Sequence, residues 1–158
     1  MIINPGYGEE TTAYSFIAKK FVSECYLVIS IGHELPTDEP LAREGNLYKL
    51  RLPVWERGVK NIQFVLKETN NIEKRIILIG HSNGGDISML YAKEFPEKID
   101  AAITLDHRRV PIPRKENLRI LSIRADEFNS DEGVIPKEEE LKKYPIKIVK
   151  LLMYNIMI

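Results

Sequence analysis

Arg75 to Asp86 reads R-I-I-L-I-G-H-S-N-G-G-D, and within it Gly80-His81-Ser82-Asn83-Gly84 has the form G-x-S-x-G. Ile76 to Ile79 precede the motif as an unbroken apolar run, the pattern of a strand buried on both faces. Ile87, Leu90 and Tyr91 follow it at helical spacing, and Pro96 stops the pattern. Where a strand folds straight back into a helix, a Cβ on either side of the turn collides with the other element, so glycine is required there. The serine is forced to the tip, with Oγ outward and the N-terminal N–H groups of the helix beneath it.

Strand, glycine-flanked serine and helix together resemble the nucleophile elbow of the α/β-hydrolase superfamily. The bland alternative is a glycine-rich turn that closes tightly or cradles a phosphate. The flanking strand and helix count against it, because that context makes a short motif specific.

On either side of the elbow the chain alternates between strand and helix patterns. Met1-Ile2-Ile3 reads as the tail of a strand entering the loop Asn4-Pro5-Gly6-Tyr7-Gly8. Thr11 or Thr12 is placed to cap a helix with Tyr14, Ile17, Ala18, Phe21 and Val22 on its apolar face. Tyr26 to Ile31 is the next strand, and a polar stretch follows from Gly32 to Pro53. Pro53 suits the first position of a helix that carries Trp55, Gly58, Val59, Ile62, Val65 and Leu66 on one face. Beyond the elbow, Ile99 to Leu105, Leu118 to Arg124 and Ile146 to Leu152 read as strands, and Glu138 to Lys143 as a short charged helix. Strands apolar on both faces, alternating with helices, give an α/β class: a mostly parallel sheet with helices on both faces. Residues 1–158 are read as a single domain. The stretch His107 to Asn117 is too short to hold a separate cap domain.

Bulk composition excludes several classes. Apolar residues make up 44% and charged residues 29%, as in ordinary soluble domains, and 23 Lys+Arg balance 23 Asp+Glu. No global field recruits nucleic acid or an anionic membrane. No apolar stretch reaches membrane-spanning length, and Pro5 and Gly6 interrupt any leader-like run, so a cytoplasmic location is expected. The lone Cys25 excludes an internal disulfide, fits a reducing compartment, and is expected to be a small buried hydrophobe. No metal-ligand spacing and no dinucleotide fingerprint occurs; serine hydrolysis needs neither, so no cofactor and no metal are expected.

The resemblance implies a reaction and a set of residues. A serine hydroxyl needs a base, an acid to orient that base, and N–H donors for the oxyanion. The superfamily places these in the order Ser, acid, His. Ser82 matches the nucleophile. Asn83, as the following residue, supplies one oxyanion N–H, and Tyr7 matches the donor from the earlier loop. Asp131, in Asp131-Glu132-Gly133-Val134-Ile135-Pro136, matches the acid, with Asp126 as its rival and Asp106 as a weaker option. The base should lie beyond the last strand, but Leu151 to Ile158 holds no histidine. His107, at a strand's C-terminal end, is the substitute considered. His33 is a weaker one, and His81 is read as packing away from Ser82. The expected core thus lacks the superfamily's first strands and its C-terminal end, as a truncated or frame-shifted reading frame would, and an unpaired sheet edge would favour a homodimer. His107-Arg108-Arg109, with Arg114 and Lys115, forms a basic cluster that suits a carboxylate or phosphate, or is simply a solvated loop. The expected activity is hydrolysis of a small-molecule ester, thioester or amide through acyl-Ser82. The alternative is an impaired hydrolase acting at most as a binding module.

Overall fold

In the computed structural model, which describes residues 1–70, 75–125 and 128–151, every strand pairs in parallel. Strands β1 (Ile2–Asn4), β2 (Ile29–Ser30), β3 (Ile76–His81), β4 (Ile99–Leu105), β5 (Arg119–Ala125) and β6 (Ile146–Leu151) form a six-stranded sheet in the order β2-β1-β3-β4-β5-β6. Helices α1 (Ser15–Ser23), α2 (Leu47–Glu68), α3 (Ser82–Glu94) and α4 (Glu138–Lys143) connect them. This is the α/β class expected from the sequence. Leu152, the last residue of the expected final strand, lies outside the described residues.

The strand order fixes which face each helix covers. The step from β1 to β2 runs one way along the sheet, and every later step runs the other way. Right-handed crossovers then place α1 on one face and α2, α3 and α4 on the opposite face. The deep core lies under the second group, where Leu78, Ile99, Ala102 and Ile120 meet Trp55, Ile62, Ile87 and Leu90, all fully or nearly fully buried. Parallel strands also align their C-terminal ends. The segments after β1, β2, β3, β4 and β5 therefore emerge at one edge, and Tyr7, His33, Ser82, His107 and Asp131 all belong to them. Between β1 and β3 successive connections diverge to opposite faces, which opens a crevice at that edge.

Four local expectations are corrected. Helix α2 starts at Leu47 rather than Pro53, capped by Asn46, whose Oδ1 accepts the Lys49 N–H at 3.0 Å. Pro53 sits inside the helix on its exposed side, where water can satisfy the Lys49 carbonyl that the missing N–H leaves free. Strand β2 is shorter than Tyr26 to Ile31 because β1, its neighbour among the described strands, is in register with Ile29 and Ser30; Tyr26 and Leu27 are exposed. Helix α1 begins at Ser15 and buries no residue fully. Cys25 is exposed, not buried: it takes φ +64° in the turn that ends α1, where the N–H groups of Cys25 and Tyr26 return to the carbonyls of Val22 and Phe21. No described helix is long and apolar enough to cross a membrane.

Candidate active site

Ser82 is the first residue of α3 and follows the last residue of β3 directly, with φ +46°. A non-glycine residue in the left-handed region costs about 1 kcal/mol or more and persists only where its surroundings over-determine it. The flanking glycines show what does so. A Cβ on Gly80 would stand 2.3 Å from the Gly84 carbonyl oxygen and 2.4 Å from Ser88 Oγ. One on Gly84 would stand 2.1 Å from the Asn4 carbonyl oxygen and 2.2 Å from that of Pro5. The first turn of α3 is thus pressed against β3 on one side and the end of β1 on the other. Ser82, at positive φ, makes the chain reversal that holds both contacts. Asn83 lies in the first helical turn, whose N–H groups have no acceptor within the helix.

Buried polar groups tie the surrounding segments to this turn. Asn4 donates from Nδ2 to Ser88 Oγ at 2.8 Å, and Ser88 Oγ donates to the Gly84 carbonyl at 2.8 Å. His33 Nε2 meets Asn4 Oδ1 at 2.9 Å, and Asn61 Nδ2 meets His33 Nδ1 at 3.4 Å. These contacts fix the tautomer: Nε2 carries the proton and Nδ1 accepts. Trp55, wholly buried on α2, donates from Nε1 to Asn83 Oδ1 at 2.8 Å, which fixes the side chain of the residue after Ser82. On the β1 loop, Glu9 Oε2 accepts from the Gly6 N–H at 3.1 Å and from the Tyr14 hydroxyl, and meets His81 Nδ1 at 3.3 Å. Burial pushes the Glu9 carboxyl up, but Tyr14, Gly6 and His81 together hold it below the usual range. Tyr7 is next in the chain. Its hydroxyl accepts from the Leu41 N–H at 3.3 Å, while its own N–H makes no hydrogen bond among the described residues. Tyr7, in the loop after β1, and Asn83, in the turn after β3, thus belong to the two segments that bound the crevice.

The remaining residues singled out from the sequence lie at the same edge with other partners. His107 is fully buried, and its Nδ1 meets Thr104 Oγ1 of β4 at 2.8 Å, so the ring turns back along the buried face. Burial, with the charge of Arg124 beside it, drives its pKa down to about 3. Asp131 is paired with Arg109, and its N–H donates to the Arg108 carbonyl at 2.9 Å. Asp106, at φ +55°, faces Arg108 at 3.2 Å and Arg124 at 3.6 Å. Burial and the Arg57 charge bring His33 down to about 4, so it is neutral. His81 lies against Glu9 and the Tyr14 ring. Asp126 lies outside the described residues. No histidine is hydrogen-bonded to Ser82 or Asp131 among the described residues.

Two residues of this edge escaped the sequence reading. Asp86, one turn along α3 from Ser82, is buried, and its Oδ1 accepts the N–H groups of Arg109 and Val110, both at 2.8 Å. Burial raises its pKa to about 6 against the opposing pull of those N–H groups and Arg109. Glu34 lines a small cavity of about 140 Å³ with Tyr7, Asp38, Leu41, Val54 and Arg57. Burial lifts its carboxyl above the usual range, opposed by its own N–H, Arg57 and Asn83. An aspartate at helical spacing after the elbow serine was the available signal for Asp86. Nothing in the loop composition marks Glu34. Among the described residues no cluster of His, Cys, Asp and Glu could hold a metal ion. A cavity of about 630 Å³ beside Arg75, Pro96 and Lys115 lies at the N-terminal ends of the strands, opposite the elbow.

Known proteins resemble the chain in sequence and in fold. A family model described as the alpha/beta hydrolase fold matches residues 59–131, a stretch that includes the elbow and Asp131. A homoserine O-acetyltransferase of Geobacter sulfurreducens is 25% identical over 122 residues, which cover 77% of this chain and 32% of that protein. The chain therefore spans about a third of the length of the curated relative it matches. Among solved structures, the Bacillus cereus carboxylesterase superposes with a TM-score of 0.67 at 16% identity, covering 98% of this chain and 79% of that one. A structure from work on carboxylesterases of the thaumarchaeon Nitrososphaera gargenis gives 0.67 at 12% identity, covering 97% and 81%.

Proposed function

We propose that this chain, which has the α/β-hydrolase fold, presents Ser82 as the nucleophile of a site for small carboxylic esters, thioesters or amides. The observation that carries the reading is the backbone of Ser82, at φ +46° on the tip between β3 and α3, where the close contacts of Gly80 and Gly84 hold the turn. The carboxylesterases of like fold support ester chemistry. In the proposed step Ser82 Oγ attacks the substrate carbonyl carbon, and the N–H groups of Asn83 and Tyr7 receive the charge that develops on its oxygen. The alcohol, thiol or amine then leaves with a proton, and water releases the acid from acyl-Ser82. In this reading Asp131 takes the acid's role, with its carboxylate paired with Arg109.

The second reading, a binding module or impaired hydrolase, is favoured by one specific observation: each histidine is hydrogen-bonded to a group other than Ser82, and the one ring nitrogen left buried without a partner, His107 Nε2, meets no acceptor or donor among the described residues. His33 bonds Asn4, His107 bonds Thr104, and His81 bonds Glu9. Without the base, an oxyanion hole and binding sustain only about 10³–10⁴-fold acceleration. This chain should therefore trap a reactive electrophile on Ser82 and turn over ordinary esters slowly. Incubation with a fluorophosphonate probe, beside Ser82→Ala, tests this. Labelling confined to the parent protein supports the nucleophile; no labelling of folded protein leaves only the binding reading. His107→Gln should label at the parent rate, and loss of labelling in folded protein would make His107 the base.

A further inference from the structure

The connection from β5 through α4 to β6 encloses a space that Ser82 does not reach. A cavity of about 260 Å³ lies there, at the C-terminal ends of the two strands. Arg124 of β5 and Lys150 of β6 are register partners, two steps beyond the pair Ser122 and Ile148. Paired residues on parallel strands, and residues two apart along one strand, rise from the same face of a sheet. Arg124, Lys150 and Ile148 therefore form the wall of the cavity on the sheet side. Phe128, Ser130 and Ile135 close it from the segment between β5 and α4. These strands stand two and three spacings from β3, about 10 and 14 Å, which separates the cavity from the crevice beside the elbow.

The charge of this cavity is one-sided. Arg124 is 5% exposed and donates from Nη1 to the His107 carbonyl. Its Nη2 stands 3.6 Å from Asp106, which also meets Arg108 at 3.2 Å. Lys150 is exposed, and its ammonium has no ion pair or hydrogen bond among the described residues. No described acid lines the cavity. Two cations on neighbouring strands at one register level repel each other, and an anion beside Lys150 would relieve that repulsion. The other walls are apolar. Ile135 and Ile148 line them, with Phe128, whose ring lies 3.8 Å from the Arg108 guanidinium. An inorganic anion would leave those walls unused, and a wholly apolar ligand would leave Lys150 unpaired. A carboxylate on a short alkyl chain uses both. At ~30 Å³ for each water-sized group the cavity holds about eight non-hydrogen atoms, the size of hexanoate.

We propose that this cavity binds a short-chain monocarboxylate. Its carboxylate meets Lys150 above the buried charge of Arg124, and its chain lies against Phe128, Ile135 and Ile148. The site is independent of the acyl-Ser82 reading, so probe labelling of Ser82 has no bearing on it. Amide chemical-shift titrations of the parent protein with hexanoate, hexanamide and inorganic phosphate test it. Hexanoate should shift the amides of Phe128, Asn129, Ser130 and Ile148, and bind about fivefold more tightly than either of the others. That preference should fall in Lys150→Gln to the level of hexanamide, persist in Lys150→Arg, and shrink as salt is raised. Equal binding of hexanoate and hexanamide overturns the site, and so does an unchanged preference in Lys150→Gln. Phosphate binding as tightly as hexanoate would leave the apolar walls without a role and overturns it too. Shifts centred on Tyr7 and Asn83 would put hexanoate beside Ser82 instead, which overturns the site, as does no shift at all. Should Lys150→Gln fail to fold, the comparison of hexanoate with hexanamide on the parent protein decides alone.

Discussion

The two sides of the sheet edge that carries Ser82 are built by different physics. On the elbow side, Ser82 is held by main chain: Gly80 and Gly84 let α3 close on β3 and β1 until backbone touches backbone, and Asn4, Ser88 and His33 lock the closure with buried hydrogen bonds. On the far side, beyond β4 and β5, side chains do the holding. His107 is bonded to Thr104, Asp131 to Arg109 and Asp106 to Arg108, none of them to Ser82. The backbone geometry of the serine can therefore be complete while the histidine and the carboxylates at the same edge are engaged elsewhere. The sheet makes the first, and loops make the second.

The comparison breaks first at Gly84. Its added methyl would meet two carbonyl oxygens of β1 and its loop, neither of which can swing aside, so Gly84→Ala should cost about 3 kcal/mol or more. Urea unfolding followed by circular dichroism measures it, and a cost below about 1 kcal/mol would mean the elbow is looser than its contacts indicate. Asn4→Ala comes next. It strips the acceptor from the His33 Nε2–H and a donor from Ser88 Oγ, both buried, for an expected loss of about 2–3 kcal/mol. If the unfolding midpoint stays put, the buried chain does not brace the elbow.

Acid should separate the two sides by a third route. His33 and His107 are neutral in the folded state, depressed to about 4 and about 3, whereas an unfolded histidine titrates near 6.5. As pH falls below about 6.5 the unfolded chain takes up these protons first, so each histidine lowers stability by about 1.4 kcal/mol per pH unit. Asp86 works in the opposite sense. Its folded value of about 6 lies above the unfolded 3.8, so below pH 6 the folded state binds its proton first and offsets one histidine. Arg57 beside His33 and Arg124 beside His107 keep their charge throughout this range. From pH 7 to 5 the net loss should be about 3 kcal/mol. Urea midpoints at the two pH values check it, and a flat profile would mean that water reaches the histidines.

The sequence showed the elbow because its requirements are local: an apolar run, two glycines around a serine, and a helical period lie within one stretch. The parallel sheet was legible for the same reason, since Ile76 to Ile79 and Ile99 to Leu105 are apolar without alternation. What escaped depends on neighbours distant in the chain. Trp55 read as a core residue, and its indole bond to Asn83 follows only once α2 lies across α3. Pro53 suggested a helix start, yet the helix runs through it because that side faces water. Tyr26 and Leu27 read as strand, but pairing extends only as far as β1 can reach. For the far side, a motif resemblance pointed to Asp131 and a place at a strand end to His107, while their bonds to Arg109 and Thr104 come from tertiary packing that composition does not encode.

Two smaller effects sharpen the contrast. Ser82→Gly should stabilise the fold by about 1 kcal/mol, because glycine takes a positive φ without the steric cost serine bears. It should also abolish fluorophosphonate labelling, and a variant less stable than the parent would mean the Ser82 side chain contributes contacts that outweigh its strain. Asp131→Asn, on the far side, should change stability by less than about 1 kcal/mol. Its side chain is 42% exposed, so solvent screens the pairing with Arg109, and Asn still offers an acceptor to that arginine. The substitution leaves every contact of the elbow intact, so labelling of Ser82 by the probe reads the carboxylate's contribution separately from the fold. An unchanged labelling rate would identify Asp131 as an ion-pair partner of Arg109 and no more. A clear fall, at unchanged stability, would show that the carboxylate acts on the serine's chemistry despite its bond to arginine.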